Sequence, residues 1–239
     1  MALGAVTLPL IGYVESPFAD KFAVPRQPGL APAVVSLLRF YKPYCTPQAF
    51  REIEGYSHLH VLFLFDRVEY RDFHPEVRPP RLGGNQRVGV FATRSPYRPS
   101  RLGLSVVKLE RILHLSASEV ALEVTGADMV NGTPVVDIKP YVPFVDAHPE
   151  ATGGFAPEPP PLKTVTFSPE ALMALSTLSG QEREAIAQVL SQDPRPAYKE
   201  AQGEDERVYH AVLYGYDIAF CVTEGGVYVL NALQSNLGL

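Results

Sequence analysis

Leu102–Val142 reads LGLSVVKLERILHLSASEVALEVTGADMVNGTPVVDIKPYV. Three short apolar-rich runs fill it, at 102–112, 119–130 and 133–142. VALEV and VVDIKP alternate apolar and polar residues, the period of a half-buried strand. Asn131-Gly132, between the second and third runs, is a hairpin signal. Upstream the same texture recurs at 8–16, 33–41, 58–68 and 87–94. Within 58–68, VLFLF is continuously apolar, which predicts a strand buried on both faces. Only PQAFREIE, 47–54, reads as a short helix, with Thr46 as cap and Pro47 at the first helical position. Seven or so strands with turn signals between them predict a closed or nearly closed β-barrel. The lack of long helices alternating with them argues against a doubly wound α/β sheet.

Downstream the texture changes. Residues 147–162, AHPEATGGFAPEPPPL, carry five prolines and two adjacent glycines and read as a linker. Ser168-Pro169-Glu170 opens a helix over ALMALSTL, and QEREAIAQVLSQ after Gly180 gives a second. Three strand-like runs follow, at 207–215, 216–224 and 226–233, with Gly225-Gly226 as a tight turn. The expected architecture is therefore mainly β: a barrel in 1–146, a linker in 147–162 and a small α+β unit in 163–239.

Composition narrows the setting. A hydrophobic fraction of 46% in 239 residues suffices for a core, and 23 prolines with 18 glycines fit many turns. No apolar run reaches the length of a membrane span. The N-terminus lacks a basic n-region, so no secretory signal is expected. Cys45 and Cys221 lie far apart, which favours reduced thiols and a cytoplasmic setting over a disulfide. The net charge is −5, and from Tyr141 onward 13 acidic side chains face 5 basic ones. Against that background Arg78–Arg101 holds six arginines and no acidic residue. Guanidinium forks set among Pro, Gly, Asn and Ser make a shaped anion-binding surface, of the kind phosphates occupy.

No GxGxxG, GxxxxGK[ST] or Cys-x-x-Cys occurs, so any cofactor is held by other means. Four stretches are candidates for chemistry. In FADKFAVPRQPGL, prolines on both sides of Arg26-Gln27 fix the backbone, and Gly29 permits close approach of a ligand. His58, His60, Asp66 and His74 raise a metal reading, but no third ligand has convincing spacing, and no metal is expected. VGVFATRSPYRPSRLGLSVV puts Arg94 at a strand end and Ser95, Tyr97, Arg98, Ser100 and Arg101 on a Pro-rich turn. TGADMVNGTPVVDIKPYVPF puts Asp128 in a turn, then Asp137, Lys139 and Tyr141 at spacing two on one strand face.

FADKFAVPRQPGL, RPPRLGGNQRVGVFATRSPYRPSRLGLSVV and DMVNGTPVVDIKPYVPF together resemble the TsaA-like or TrmO family, densely over 8–146. DPRPAY, 193–198, is similar to that family's small C-terminal domain. The resemblance implies a non-Rossmann β-barrel that uses S-adenosyl-L-methionine to methylate N6-threonylcarbamoyladenosine, 3′ of the anticodon in threonine tRNAs. It also implies a homodimer with the cofactor near the subunit interface. Cofactor positions would fall on Gln27, Pro28 and Gly29, on Phe65 and Asp66, on Arg94 and Ser95, on Ser105, and on Gly126, Ala127, Asp128 and Met129. The chain departs from the family pattern at Asp66, Asn131 and Ser100-Arg101.

Methyl transfer from a sulfonium needs alignment and exclusion of water rather than a nucleophilic side chain. The acceptor nitrogen is urea-like, so a base assists, and Asp128 or Asp137 are the candidates. Asp137 has the competing reading of a structural pair with Lys139. Arg78, Arg81, Arg87, Arg98, Arg101, Lys139 and Tyr141 are the expected contacts to the tRNA anticodon stem-loop, with the dimer contact as the alternative for Arg78, Arg81 and Arg87. Tyr97, Tyr141 and Phe144 are candidate base-stacking partners. Two other functions remain open on the residues alone: a non-catalytic RNA-binding barrel, and a small-molecule enzyme with an arginine-lined pocket.

Overall fold

The computed structural model describes residues 4, 6–69, 72–195 and 205–235. In chain order its first strands are β1 (Gly12–Glu15), β2 (Val35–Phe40), β3 (His58–Leu64), β4 (Glu76–Val77), β5 (Val88–Gly89), β6 (Leu102–Ser116), β7 (Glu119–Thr125) and β8 (Pro134–Pro140). Six of them close a barrel in the order β1-β2-β7-β6-β3-β8, and every pairing in it is antiparallel. Alternation explains the closure. Leu59, Val61 and Phe63 of β3 point inward and meet Val14, Leu38, Val107, Leu122 and Val135. Gly103 is required by close approach, because a Cβ there would lie 2.3 Å from the Phe63 ring.

Four local expectations are corrected. Residues 87–94 do not join the barrel. Only Val88–Gly89 is a strand; it pairs with β4 in a separate ribbon, and a 3-10 turn follows at Val90–Ala92. The VLFLF run is not buried on both faces; Leu62 and Leu64 point outward and stay half-buried. PQAFREIE forms two short 3-10 turns, Pro47–Phe50 and Ile53–Gly55, and the Thr46 side chain makes no cap bond. Asn131-Gly132 does not close a hairpin, since β8 pairs with β1 and β3 and not with β7. It is a turn tied to β1 instead: the Gly132 N–H donates to Val14 O at 2.7 Å, and the Ser16 N–H donates to Asn131 Oδ1 at 3.2 Å.

The registers place the long loops. Leu64 pairs with Leu102, Val35 with Thr125, Glu15 with Leu37, and Phe63 with Val135. Loops 16–34, 65–101 and 126–133 therefore all leave from one rim of the barrel. The opposite end holds His58 and the start of Tyr141–Asp146, which includes one helical turn, α1 (Pro143–Asp146).

The second unit has α2 (Pro169–Ala174) and α3 (Gly180–Ser191) against a sheet of β9 (Val165–Phe167), β10 (Asp205–Leu213), β11 (Tyr216–Thr223) and β12 (Gly226–Gln234). Its strand order is β10-β11-β12-β9. Ser168 Oγ accepts from Ala171 N–H at 2.9 Å, with Pro169 at the first helical position. Ser179 and Glu182 make a reciprocal capping box on α3. This unit's core is not its own alone: Phe18, Ala23, Ala31 and Val34 from the β1–β2 loop are buried in it with Leu175, Ile186, Leu190 and Leu213. Of the DPRPAY motif, 196–198 lie outside the described residues. Cys45 and Cys221 are free thiols. Among the described residues no helix is long and apolar enough to cross a membrane, and no cluster of three or more His, Cys, Asp or Glu could hold a metal ion.

Candidate functional site

Two glycine turns meet at the loop-bearing rim. Gly29 and Gly126 both have left-handed backbones, φ +78° and +75°. The Gly29 N–H donates to Gly126 O at 2.8 Å. A Cβ on Gly126 would lie 3.2 Å from Gly29 Cα, so the two chains pack backbone to backbone. A Cβ on Gly29 would meet nothing within 4 Å, so open space adjoins the turn.

Around this contact the polar groups converge. Arg94 Nη1 donates to Gln27 Oε1 at 2.9 Å. Ser105 is 2% exposed on β6, and its Oγ donates to Asp128 Oδ1 at 2.5 Å. Burial pushes the Asp128 carboxyl up to about 6, against the opposing pull of the Ser105 hydrogen bond and the Arg94 charge. A carboxylate so placed is ionised at neutral pH yet close to exchanging a proton. The structure thus brings together Gln27, Pro28, Gly29, Arg94, Ser105, Gly126 and Asp128. Ala127 and Met129 point into the barrel core and offer only backbone to a ligand. Met129 O is already engaged, accepting from Ser16 Oγ at 2.8 Å. Phe65 packs on the barrel core, and its N–H donates to Arg101 O at 2.9 Å. Asp66 is exposed beside Arg67, whose guanidinium donates to Asn131 O at 2.5 Å. Ser95 Oγ accepts from the Tyr97 N–H at 3.3 Å and shapes the Pro-rich turn.

The rigidity of the first loop has a source that its prolines alone do not reveal. Gln188 Oε1 on α3 accepts from Ala33 N–H at 2.8 Å, and Gln192 Nε2, at the cap just after α3, donates to Leu30 O at 3.2 Å. Arg26 Nη2 donates to Arg195 O at 3.1 Å. Arg195 is itself 0% exposed and locked to Asp193 by two hydrogen bonds of 2.7 Å. The second unit therefore grips the loop that carries Gln27 and Gly29.

Beside this rim opens a cleft of roughly 1820 Å³, and all six arginines of 78–101 line it. Some are spent partly within the chain. Arg98 donates to Thr93 O at 3.1 Å, Arg101 to Val68 O at 3.4 Å, Arg81 to Glu158 O, and Arg87 lies 3.5 Å from Glu76. These bonds fix the direction of the forks. Asp137, Lys139 and Tyr141 are not in this cleft. Asp137 pairs with Leu62 in register, on the outer barrel face, and lies 3.0 Å from Lys139 Nζ. Tyr141 packs its ring on His58 and His60, at the far end of β3 and about 20 Å from the rim. Phe144 is also outside the cleft.

Sequence comparison bears directly on this arrangement. Residues 13–147 match the family model described as tRNA-methyltransferase O N-terminal domain, and 159–235 match the TrmO C-terminal domain. The chain belongs to the TrmO family. A relative from Escherichia coli strain K12, tRNA (adenine(37)-N6)-methyltransferase, is 42% identical over 220 residues, 90% of this chain and 93% of that one. Another, from Pseudomonas aeruginosa, is 42% identical over 212 residues, 87% of this chain and 89% of its own length. It bears a provisional name as an S-adenosylmethionine-dependent methyltransferase. A crystal structure of TrmO from Pseudomonas aeruginosa superposes with a TM-score of 0.78 at 35% identity, covering 96% of this chain and 99% of that one. This TrmO-family chain also holds features that its sequence alone did not single out. Gln188 and Gln192 read as ordinary polar positions on a solvated helix face. Phe73 and Phe91 line the arginine cleft as exposed rings.

Proposed function

We propose that this chain is an S-adenosyl-L-methionine-dependent methyltransferase of tRNA adenosine 37, acting on the N6 of N6-threonylcarbamoyladenosine in threonine tRNAs. One observation carries the reading. A half-buried carboxylate and two interlocked glycine turns lie at the rim of a barrel whose adjoining cleft is walled by arginines. Relatives with a methyltransferase name, one matching 90% of the chain, favour it over a non-catalytic RNA-binding barrel or a small-molecule enzyme.

The residues fit such a cofactor. Gln27, Gly29, Arg94 and the Gly126–Asp128 turn would hold it, Gly29 because open space adjoins its turn, while buried Ser105 fixes the Asp128 carboxyl from within the barrel wall. When bound, S-adenosyl-L-methionine supplies an electrophilic methyl group on sulfonium sulfur. Arg94 and Gln27 orient each other through their hydrogen bond and fix one wall. Asp128 is the group poised to take the acceptor proton, because its Oδ1 is fixed by Ser105 and its carboxyl sits near 6. Asp137 is assigned the structural pair with Lys139 instead. Arg78, Arg81, Arg87, Arg98 and Arg101 hold the phosphates of the anticodon stem-loop, for which their guanidinium geometry is suited.

The active form is a homodimer in this proposal. Leu104 is exposed on the outer barrel face beside half-buried Leu62 and Leu64, an apolar strip that a second copy would cover. Such a copy would also bring its Lys139 and Tyr141 toward the substrate. Residues 1–146 carry the chemistry, 147–162 connect, and 163–239 brace the cofactor loop. The setting is cytoplasmic. The test is a methylation assay on threonine tRNA with and without the threonylcarbamoyl group. Methyl incorporation only into the modified tRNA is expected; equal incorporation into both removes the substrate assignment.

A further inference from the structure

Phe73 and Phe91 are 56% and 73% exposed, an unusual state for two phenylalanines in contact. Their rings stack, with centroids 6.2 Å apart and planes inclined by 25°. The ribbon β4–β5 holds them there. Glu76 pairs with Gly89, and the Val90 N–H donates to Pro75 O at 2.8 Å. Val90 is buried and anchors the turn that carries Phe91. The two rings thus stand at the base of the ribbon whose far loop carries Arg78, Arg81 and Arg87. Both line the same cleft as those arginines.

We infer that Phe73 and Phe91 form a stacking platform for an unpaired base of the tRNA anticodon loop, a subsite that rests on the tRNA reading above. Exposed π-faces beside guanidinium forks are how proteins hold single-stranded nucleic acid: cations track the backbone and rings take the bases. An apolar protein partner is disfavoured by the charged surroundings, since the six arginines of 78–101 line the same cleft, with Glu69, Asp72, Glu76 and Glu158 among them. Gln27 and Arg94 line the same cleft as the two rings, so the affinity of a ring variant for S-adenosylmethionine separates a base platform from a wall of the cofactor site.

The test uses full-length protein and a fluorescein-labelled anticodon stem-loop RNA, read by anisotropy at several salt concentrations. Phe73→Ala combined with Phe91→Ala is expected to weaken binding between about 5-fold and 100-fold. The salt dependence and the affinity for S-adenosylmethionine stay unchanged. Phe91→Leu keeps bulk and apolarity but loses the π-face, and is expected to bind as weakly as Phe91→Ala; Phe91→Tyr restores binding. Unchanged RNA affinity in the double variant, with wild type binding tightly, overturns the platform and leaves the methyltransferase reading intact. Rescue by Phe91→Leu, or loss of the dimer in sedimentation, overturns it in favour of a protein contact. Failure of wild type to bind the stem-loop at all removes both the platform and the tRNA reading.

Discussion

Replacing Asp128 by Asn is expected to stabilise the protein while removing its activity. Asn keeps the shape of the side chain, and its Oδ1 still accepts from Ser105 Oγ. What disappears is a charge held in a poorly solvated place. The carboxyl rises from 3.8 to about 6, which corresponds to a cost of roughly 3 kcal/mol for the ionised form in the folded state. Solvent reaches part of this half-buried site, so a gain of about 2 kcal/mol is the realistic figure for the variant at neutral pH. The sign of the pH dependence follows. The folded state holds the proton more tightly than the unfolded chain, so wild type loses stability as pH rises through about 4 to about 6, then levels off. The variant lacks that loss. Chemical denaturation of both proteins at about pH 4, 6 and 7.5 isolates the effect, because other acidic groups contribute equally to each. Turnover in the same variant is expected to drop by about 100-fold or more if Asp128 takes the acceptor proton. A variant less stable than wild type at neutral pH would refute the burial argument. Normal turnover would refute the assignment of Asp128 as base.

Other outcomes can be checked alongside. The methylation rate of wild type should fall as pH drops through about 6, as Asp128 becomes protonated, seen in a pH–rate profile under saturating substrates. Gly126→Ala forces a left-handed backbone on a residue with a Cβ and crowds Gly29. A loss of about 1–2 kcal/mol in thermal or urea denaturation is expected, together with weaker cofactor binding. Gln188→Ala removes the acceptor for the Ala33 N–H and loosens the Gln27 loop. It should raise KM for S-adenosylmethionine while RNA affinity holds. Arg78→Ala should flatten the salt dependence of tRNA binding by about one unit in a log–log plot of affinity against salt. Asp137→Asn should turn over at a near-normal rate, since that carboxylate pairs with Lys139 on the outer barrel face.

The barrel was legible because its strands announce themselves one at a time. Val120, Leu122 and Val124 of β7 face the barrel core with Glu123 between the last two, and that period is a property of the local chain. Pairing is not local, and a strand's own residues do not name its partner. Asn131-Gly132 has the residues of a hairpin, but β8 leaves it to pair with β1 and β3. Residues 87–94 have strand composition, yet only two of them find a partner. The Asp128 cluster was partly legible, since Gln27, Gly29, Arg94 and Ser105 sit in proline-punctuated or glycine-bearing motifs with unusual chemistry. Its bracing was not. Gln188 and Gln192 look like any solvated helix face until the fold lays Ala33 and Leu30 against them. Phe73 and Phe91 gave no signal either, because a lone phenylalanine is normally core, and only the structure shows these two outside it.

The central claim is that the Gln27–Gly29 loop, Arg94 and the Asp128 turn are one binding site for the methyl donor. Isothermal titration of S-adenosylmethionine into the wild-type protein and the Arg94→Ala variant, side by side, tests it most directly. Saturable binding to wild type, clearly weakened in the variant, is the predicted result. No heat of binding in wild type, or equal affinity in both proteins, would contradict it.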